Sequence, residues 1–342
     1  MRTVIIGIGS IGTIVGALIF KNKPVDMDVT LVDANEAHVA ALRKNGATVI
    51  GKMNLSNVPV KAILPSEMEG FYDSVILMTK QTYNSRVFEQ LLPHLHQDSV
   101  VCTLQNGIPE ESVASYVGAE RTVGGTIGWG ATWQGAGVSE LTSDPDRMIF
   151  EIGECDGRLT PRLESIAHVL RQGCTCHIIN NLTGIRWSKL LMNSTMSGLS
   201  AALGCTYADI LDNDKAVRCA AHLTNELIAV ADAREIHLEV LVEGFDFYDL
   251  KFSNLNDRDR AVAWLRKFYI PDRPLKASML QDMEKGIVSE IRQINGVVAD
   301  WGRKVGVNTP MNDKIVHIVT EFEAGRRPFP TMDNLNEFVL PY

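Results

Sequence analysis

A chain of 342 residues that is 45% hydrophobic and 22% charged has the make-up of a globular protein long enough for two domains. Its formal net charge of −8 sets aside a nucleic-acid surface, which would be basic. Among its six cysteines there is no C-x-x-C pair, and His94 and His96 lie too close in sequence to share a helix face, so neither a disulfide framework nor a metal site is expected.

The first choice arises at residues 4–20, VIIGIGSIGTIVGALIF, which carry no charged side chain. A membrane-spanning helix needs about 20 apolar residues, and Lys21 ends this run first. Only Arg2 precedes it, and no small-residue cleavage pattern follows, so an export signal is not expected either. The run divides instead. TVIIGI is β-branched and suits a buried parallel strand, and SIGTIVGALIFK continues as a helix. Between them Gly7, Gly9 and Gly12 spell G-x-G-x-x-G. The first glycine permits the tight turn, the second lets backbone approach a pyrophosphate, and the third lets the helix pack on the strand. The N–H groups at the helix start, around Ser10 and Ile11, would hold the phosphates. A second strand, DVTLVD, ends at Asp33, about 20 residues past the last glycine, where an acid binds the adenosine ribose. The stretch is read as a dinucleotide site in a cytoplasmic protein with reduced thiols, outside any membrane.

NEAHVAALRKNG follows as an amphipathic helix closed by Gly46, then DSVILMTK as a strand leading to Lys80. A helix around RVFEQLLPHL leads to the strand SVVCTLQNG, which contains Asn106. Strands alternating with helices predict a parallel, doubly wound sheet. TVGGTIGWGATWQGAGVSEL and RMIFEIGE are expected to add antiparallel strands at its edge, with PRLESIAHVLRQG and CTCHII as a last helix and strand. From residue 182 long helical patterns take over: GIRWSKLLMNSTMSGLSAALG, AVRCAAHLTNELIAVADARE and SMLQDMEKGIVSEIRQINGVVADWGRKVG. Residues 244–275, polar and aromatic, fit no clear pattern. The fold class is therefore α/β, with a doubly wound Rossmann-type domain over 1–181 and an all-helical domain over 182–342.

Lys189, Asn193 and Ser197 are spaced i, i+4 and i+8, which puts all three on one helix face. A polar surface stripe is the bland explanation, but their neighbours Trp187, Leu190, Leu191 and Met192 leave little polar surface on this helix. Ser278 followed by Gln281 fits a capping box, and the helix start it marks would also attract a carboxylate. Asp282, Gly286 and Glu290 share a face of the same expected helix. A glycine in mid-helix costs about 1 kcal/mol against alanine, so close packing at Gly286 is expected.

The ordered set of motifs resembles the ketopantoate reductase (2-dehydropantoate 2-reductase) family over nearly the whole chain: G-x-G-x-x-G, LMTK, LQNG, GATWQGAGV, WSKLLMN, SMLQD and SEIRQING. The resemblance implies hydride transfer from a nicotinamide cofactor to a 2-oxo acid. It also implies that Lys189 is the catalytic acid with Glu290 as its carboxylate partner, that Asn193, Ser197 and Ser278 bind substrate, and that Lys80 and Asn106 lie near the nicotinamide. Two departures stand out. The family usually has asparagine where this chain has Ser197, which points to a different acid or a different binding mode. Family members commonly use NADPH, whereas Asp33 favours NAD. The open alternatives are another β-hydroxy or opine-type dehydrogenase of the same plan, or a dinucleotide sensor without turnover. A homodimer is admissible.

Overall fold

The computed structural model describes residues 1–340. They fall into two compact units, Met1–Gln105 with Pro109–Leu182, and Asn106–Ile108 with the chain from Thr183 on.

The first unit opens with β1 (Arg2–Ile6), α1 (Ser10–Asn22), β2 (Asp28–Val32) and α2 (Glu36–Asn45), in the order read from the sequence. Asn35 caps α2 by accepting the His38 N–H, and Gly46 at φ +76 ends it. Three short strands that the sequence does not announce come next: β3 (Ala47–Gly51), β4 (Leu55–Val58) and β5 (Ala62–Ile63). The chain continues through β6 (Tyr72–Leu77), α3 (Asn84–Leu91), β7 (Leu95–Thr103), α4 (Glu110–Val117) and β8 (Thr122–Ile127). Then come β9 (Ala131–Gly135), β10 (Val138–Leu141), β11 (Ile149–Gly153), α5 (Pro161–Leu170) and β12 (Thr175–Ile179).

Eight of these strands form one sheet in the order β12-β11-β8-β7-β6-β1-β2-β5. From β5 across to β8 every pairing is parallel. The chain winds from β1 outward to β2 in one direction and to β6 and β7 in the other, so the turn after β1 lies where the winding reverses. Open α/β sheets bind ligands there. The antiparallel edge expected after Thr122 is only partly present. β11 runs antiparallel to β8, but β8 itself is parallel to β7. β9 and β10 leave for a second sheet, β4-β3-β10-β9, which packs on α1. Gly128 and Gly130 interrupt the β-forming run between β8 and β9 and let it change sheets.

The second unit is helical. α6 (Leu182–Met192) runs through a π-helical turn at Asn193–Ser197 into α7 (Gly198–Leu203). α8 (Tyr207–Asp212) and α9 (Asp214–Ala233) follow. The segment that shows no clear pattern in sequence holds α10 (Leu255–Phe268), whose Trp264 and Phe268 pack with Phe245 and Phe247. Its aromatic residues are core of this unit. No described helix is long and apolar enough to cross a membrane.

The expected long helix from residue 278 is broken into α11 (Ser278–Glu284), a 3₁₀ turn at Ile291–Gln293 and α12 (Asn295–Val305), with α13 (Pro310–Glu323) after it. Gly286 is the cause. It sits at φ +67, just past the end of α11, rather than in mid-helix. The Ile287 N–H donates to Asp282 O at 2.9 Å and the Gly286 N–H to Met283 O at 3.1 Å, the paired bonds of a Schellman stop. The shared helix face of Asp282, Gly286 and Glu290 therefore does not exist, and Gly286 serves its left-handed backbone, not close packing.

On α9, Glu226 and His222 lie one turn apart and titrate in opposite senses. Burial pushes the Glu226 carboxyl from 4.5 up to about 7, against three hydrogen bonds from Met311 and Asn312 that favour its charge. Burial, helped by the nearby Arg258 charge, takes the His222 imidazole from 6.5 down to about 4. Between pH 7 and 4.5 the folded protein holds the Glu226 proton more tightly than the unfolded chain, so this group adds stability as pH falls. His222 subtracts stability as pH falls from 6.5, because the unfolded chain takes its proton first. A displacement the size of that at Glu226 corresponds to up to about 3 kcal/mol. The Tm of Glu226→Gln, measured against the parent, should worsen steadily from pH 7 to 4.5. A difference in Tm that is flat across that window would mean that Glu226 does not titrate there.

Candidate active site

In the first unit the glycine turn has the shape its spacing predicts. Gly7 sits at φ +94, where a Cβ would lie 2.6 Å from the Thr79 backbone nitrogen. A Cβ on Gly12 would lie 2.4 Å from Gly7 O, so only glycine lets α1 start this close to the turn. Gly9 differs. It is the N-cap of α1, makes no side-chain cap, and has nothing within 4 Å of where a Cβ would stand. The space in front of the helix start is open, and the N–H groups of its first turn, at Ser10 and Ile11, begin the free positive end of the helix dipole. This is a cradle that a side chain at Gly9 would fill, and it fits a pyrophosphate.

Asp33 stands beside it, at the end of β2. Its Oδ2 accepts the Ile8 N–H and its Oδ1 the Asn35 N–H, both at 2.8 Å. Each carboxylate oxygen keeps a second lone pair, so the group can also accept from ribose hydroxyls.

A support that sequence reasoning misses lies behind the turn. The Gly137 N–H donates to Nδ1 of the fully buried His38 at 2.9 Å, and His38 Nε2 lies 3.3 Å from the Thr13 hydroxyl. Thr13 in turn donates to Gly9 O at 2.8 Å. Burial lowers the His38 pKa more than the neighbouring Asp33 charge raises it, which keeps the ring neutral. With Nδ1 accepting, the ring proton is on Nε2 and points to Thr13. A polar residue four places after the middle glycine is the signal that marks Thr13.

Lys80 is half-buried just beyond the end of β6, at the start of a 3₁₀ turn over Gln81–Tyr83. Next to it Gln105 ties loop to loop, donating to Thr79 Oγ1 at 3.2 Å and Asn84 Oδ1 at 2.7 Å. The following residue, Asn106, packs with the second unit. Its Nδ2 donates to Glu290 Oε2 at 3.4 Å.

Glu290 is 5% exposed and lies in the irregular stretch between α11 and the 3₁₀ turn that begins at Ile291. Its neighbour Ser289 is tied on both sides, donating its N–H to Glu323 Oε1 at 2.7 Å and accepting the Ile291 N–H at 3.3 Å. A buried carboxylate is thus held on a loop whose backbone is fixed.

On the helix of the second unit, from Gly184 to Leu203, every residue is buried except Lys189, Met192 and Asn193. These lie at i, i+3 and i+4, one opening on a rod otherwise enclosed all round. Ser188, two-way bonded to the Glu239 backbone at 2.9 and 2.8 Å, fixes the rotation of the rod. Ser197 does not share the opening. The π-helical turn between it and Asn193 breaks the i+4 phase, and its buried hydroxyl pairs with Tyr207 Oη at 2.8 Å. Burial pushes the Tyr207 hydroxyl up to about 12, so it stays protonated.

Ser278 is exposed and is the first residue of α11, not its cap. Ala277 holds the cap position without a side-chain bond, and Gln281 donates to Lys276 O at 2.9 Å instead of closing a capping box. The apolar residues Ala277, Met279, Leu280 and Met283 are all buried, so packing sets the helix start one residue earlier than the box would.

Two family models match this chain: ketopantoate reductase PanE/ApbA over residues 3–155, and ketopantoate reductase PanE/ApbA C terminal over residues 181–323. A 2-dehydropantoate 2-reductase of Archaeoglobus fulgidus is 28% identical over 327 residues, covering 95% of this chain and 98% of the relative. Among solved structures, a ternary complex of D-mandelate dehydrogenase with NADH and anilino(oxo)acetate superposes with a TM-score of 0.79 at 24% identity. That match spans 95% of this chain and 99% of the other. The 2-dehydropantoate 2-reductase of Geobacter metallireducens GS-15 gives 0.76 at 26% identity, over 94% and 100% of the two chains.

Proposed function

The chain belongs to the ketopantoate reductase family, and we propose that it reduces a 2-oxo acid to the 2-hydroxy acid with NADH, Lys189 acting as the acid. The observation that carries this reading is the opening of Lys189, Met192 and Asn193 on a helix buried everywhere else. An ammonium and an amide are presented together on a helix whose other residues, Met192 apart, are buried from Gly184 to Leu203.

Gly7, Gly9, Ser10, Ile11 and Gly12 would hold the pyrophosphate, Asp33 the adenosine ribose, and Lys80 would stand near the nicotinamide end. The reduced nicotinamide supplies the hydride when bound. As the carbonyl oxygen of the substrate gains negative charge, Lys189 stabilises it and passes its ammonium proton to it. The lysine then regains a proton from solvent. Glu290, kept in place by Asn106, orients the lysine and the new hydroxyl. Asn193 binds the substrate, and the N–H groups at the start of α11 around Ser278 receive its carboxylate.

Asp33 supports NADH over NADPH, since a 2′-phosphate would meet a like charge. Ser197, spent on Tyr207, supports a second reading in which the acid carries a bulkier or more apolar chain than ketopantoate. A single assay addresses both. NADH oxidation is followed with a panel running from ketopantoate to 2-oxo acids with larger apolar groups. Turnover of at least one acid is expected. A protein that binds NADH and reduces none would be a sensor, and a ketopantoate kcat/KM far above all others would remove the second reading.

A further inference from the structure

The π-helical turn at Asn193–Ser197 is held from outside its own helix. In an uninterrupted α-helix the Gly198 N–H would donate to Ser194 O, four residues back. Here it donates to Asn193 O and Thr195 O, on either side of that carbonyl. Ser194 O accepts instead from Nδ2 of Asn295, 101 residues further along and fully buried at the start of α12, at 2.8 Å.

The orientation of that amide follows from its neighbours. The Glu226 carboxylate accepts the backbone N–H groups of Met311 and Asn312 and also Asn312 Nδ2, at 2.8, 3.1 and 2.8 Å. With its Nδ2 on Glu226, Asn312 turns its oxygen toward Asn295, whose Nδ2 donates to it at 2.9 Å. Asn295 can then present only N–H to Ser194 O, and its own oxygen finds no hydrogen-bond donor. That oxygen lies where a side chain at residue 198 would begin: a Cβ on Gly198 would stand 2.2 Å from Asn295 Oδ1 and 2.8 Å from Nδ2. Gly198 has an ordinary helical backbone, φ −63 and ψ −48, so alanine would suit its conformation and is the better helix former. Glycine is there for space.

We propose that Asn295 and Gly198 form a positioning pair that keeps the π-turn in place and so fixes where Asn193 stands beside Lys189. The proposal rests on the reading that Lys189 and Asn193 receive the substrate. One residue of α-helix is about 100° of rotation. The π-turn absorbs one extra residue, letting α7 be buried all round while Lys189 and Asn193 face the opening just before it. π-turns recur at functional sites for this kind of reason. If the turn reverts to α-helix, the two halves rotate relative to each other, and because α7 is enclosed the movement falls on Asn193.

The test uses Asn295→Ala, Gly198→Ala and the two combined, with Asn193→Ala as reference. Each single change should destabilise the protein, since one leaves Ser194 O without its donor and the other drives a methyl into the amide. Each should lower kcat/KM by at least about tenfold through a raised KM for the 2-oxo acid, with the Kd for NADH unchanged. In the double variant the methyl added at position 198 fills the space vacated by the Asn295 amide, and the backbone N–H of that position can bond Ser194 O as in an α-helix. Tm should then recover toward the parent while KM stays high. A double variant whose KM returns together with its Tm would overturn the proposal, as would single variants with parental KM and kcat. If Asn193→Ala itself leaves KM unchanged, the substrate reading fails. If Asn193→Ala raises KM and the pair does not, the positioning claim alone fails.

Discussion

Lys189→Ala should lower kcat by about 10²–10⁴ and leave the Kd for NADH nearly unchanged. Two effects add at this position. The ammonium offsets charge as it develops on the carbonyl oxygen, and it also delivers the proton that makes the product neutral there. Lys189, Met192 and Asn193 are the residues of this helix that open to the surface between Gly184 and Leu203, so no second acid on the helix takes over either task. Lys189→Arg keeps the charge but not a readily released proton, and should fall between alanine and parent. Glu290→Gln should cost less than Lys189→Ala, because an orienting carboxylate does not itself give up the proton. Single-turnover measurements would separate chemistry from product release. A folded Lys189→Ala protein with parental kcat would place the acid elsewhere.

NADH should exceed NADPH in kcat/KM by about 10-fold to 100-fold. A phosphate about 4 Å from a carboxylate meets roughly 4 kcal/mol of repulsion per unit charge in an intermediate dielectric, and solvent and side-chain movement remove part of it. The Asp33 carboxylate is not free to swing aside, since both oxygens already hold backbone N–H groups, of Ile8 and Asn35. Asp33→Asn removes the charge while retaining one oxygen for those donors, and should narrow the preference by raising NADPH activity more than it lowers NADH activity. Equal use of the two cofactors by the parent would mean that Asp33 does not face the 2′ position.

The dinucleotide end is legible in the sequence because each residue there answers to local backbone geometry. Gly7, Gly12 and Asp33 are fixed by a turn, a close approach and the end of a strand, all within one β-α-β passage. The other end is less so. Lys189 and Asn193 follow from i+4 spacing, but Ser197 does not, because a π-turn leaves no mark in a count of residues. It is Asn295, distant in sequence, that holds that turn. Gly286 misleads, since a glycine inside an apolar helical pattern reads alike whether it packs closely or stops the helix; only its φ tells the two apart. The capping box at Ser278 loses to burial of Ala277, a tertiary effect. The second sheet is hidden for a similar reason: β3 and β10 pair although about half of the first unit's sequence lies between them.

Asn106–Ile108 gives the chain an unusual inheritance. The polypeptide passes into the second unit at Asn106, returns at Pro109, and leaves for good after Leu182. A recombination event at residue 182 would therefore not move a self-sufficient module. It would carry Lys189, Asn193 and Glu290 into the hybrid but leave behind the amide that donates to Glu290. The hybrid would take its carboxylate from one parent and the donor for it from the other. Donor and acceptor, 184 positions apart in sequence, would both have to come from the same parent for this bond to be kept.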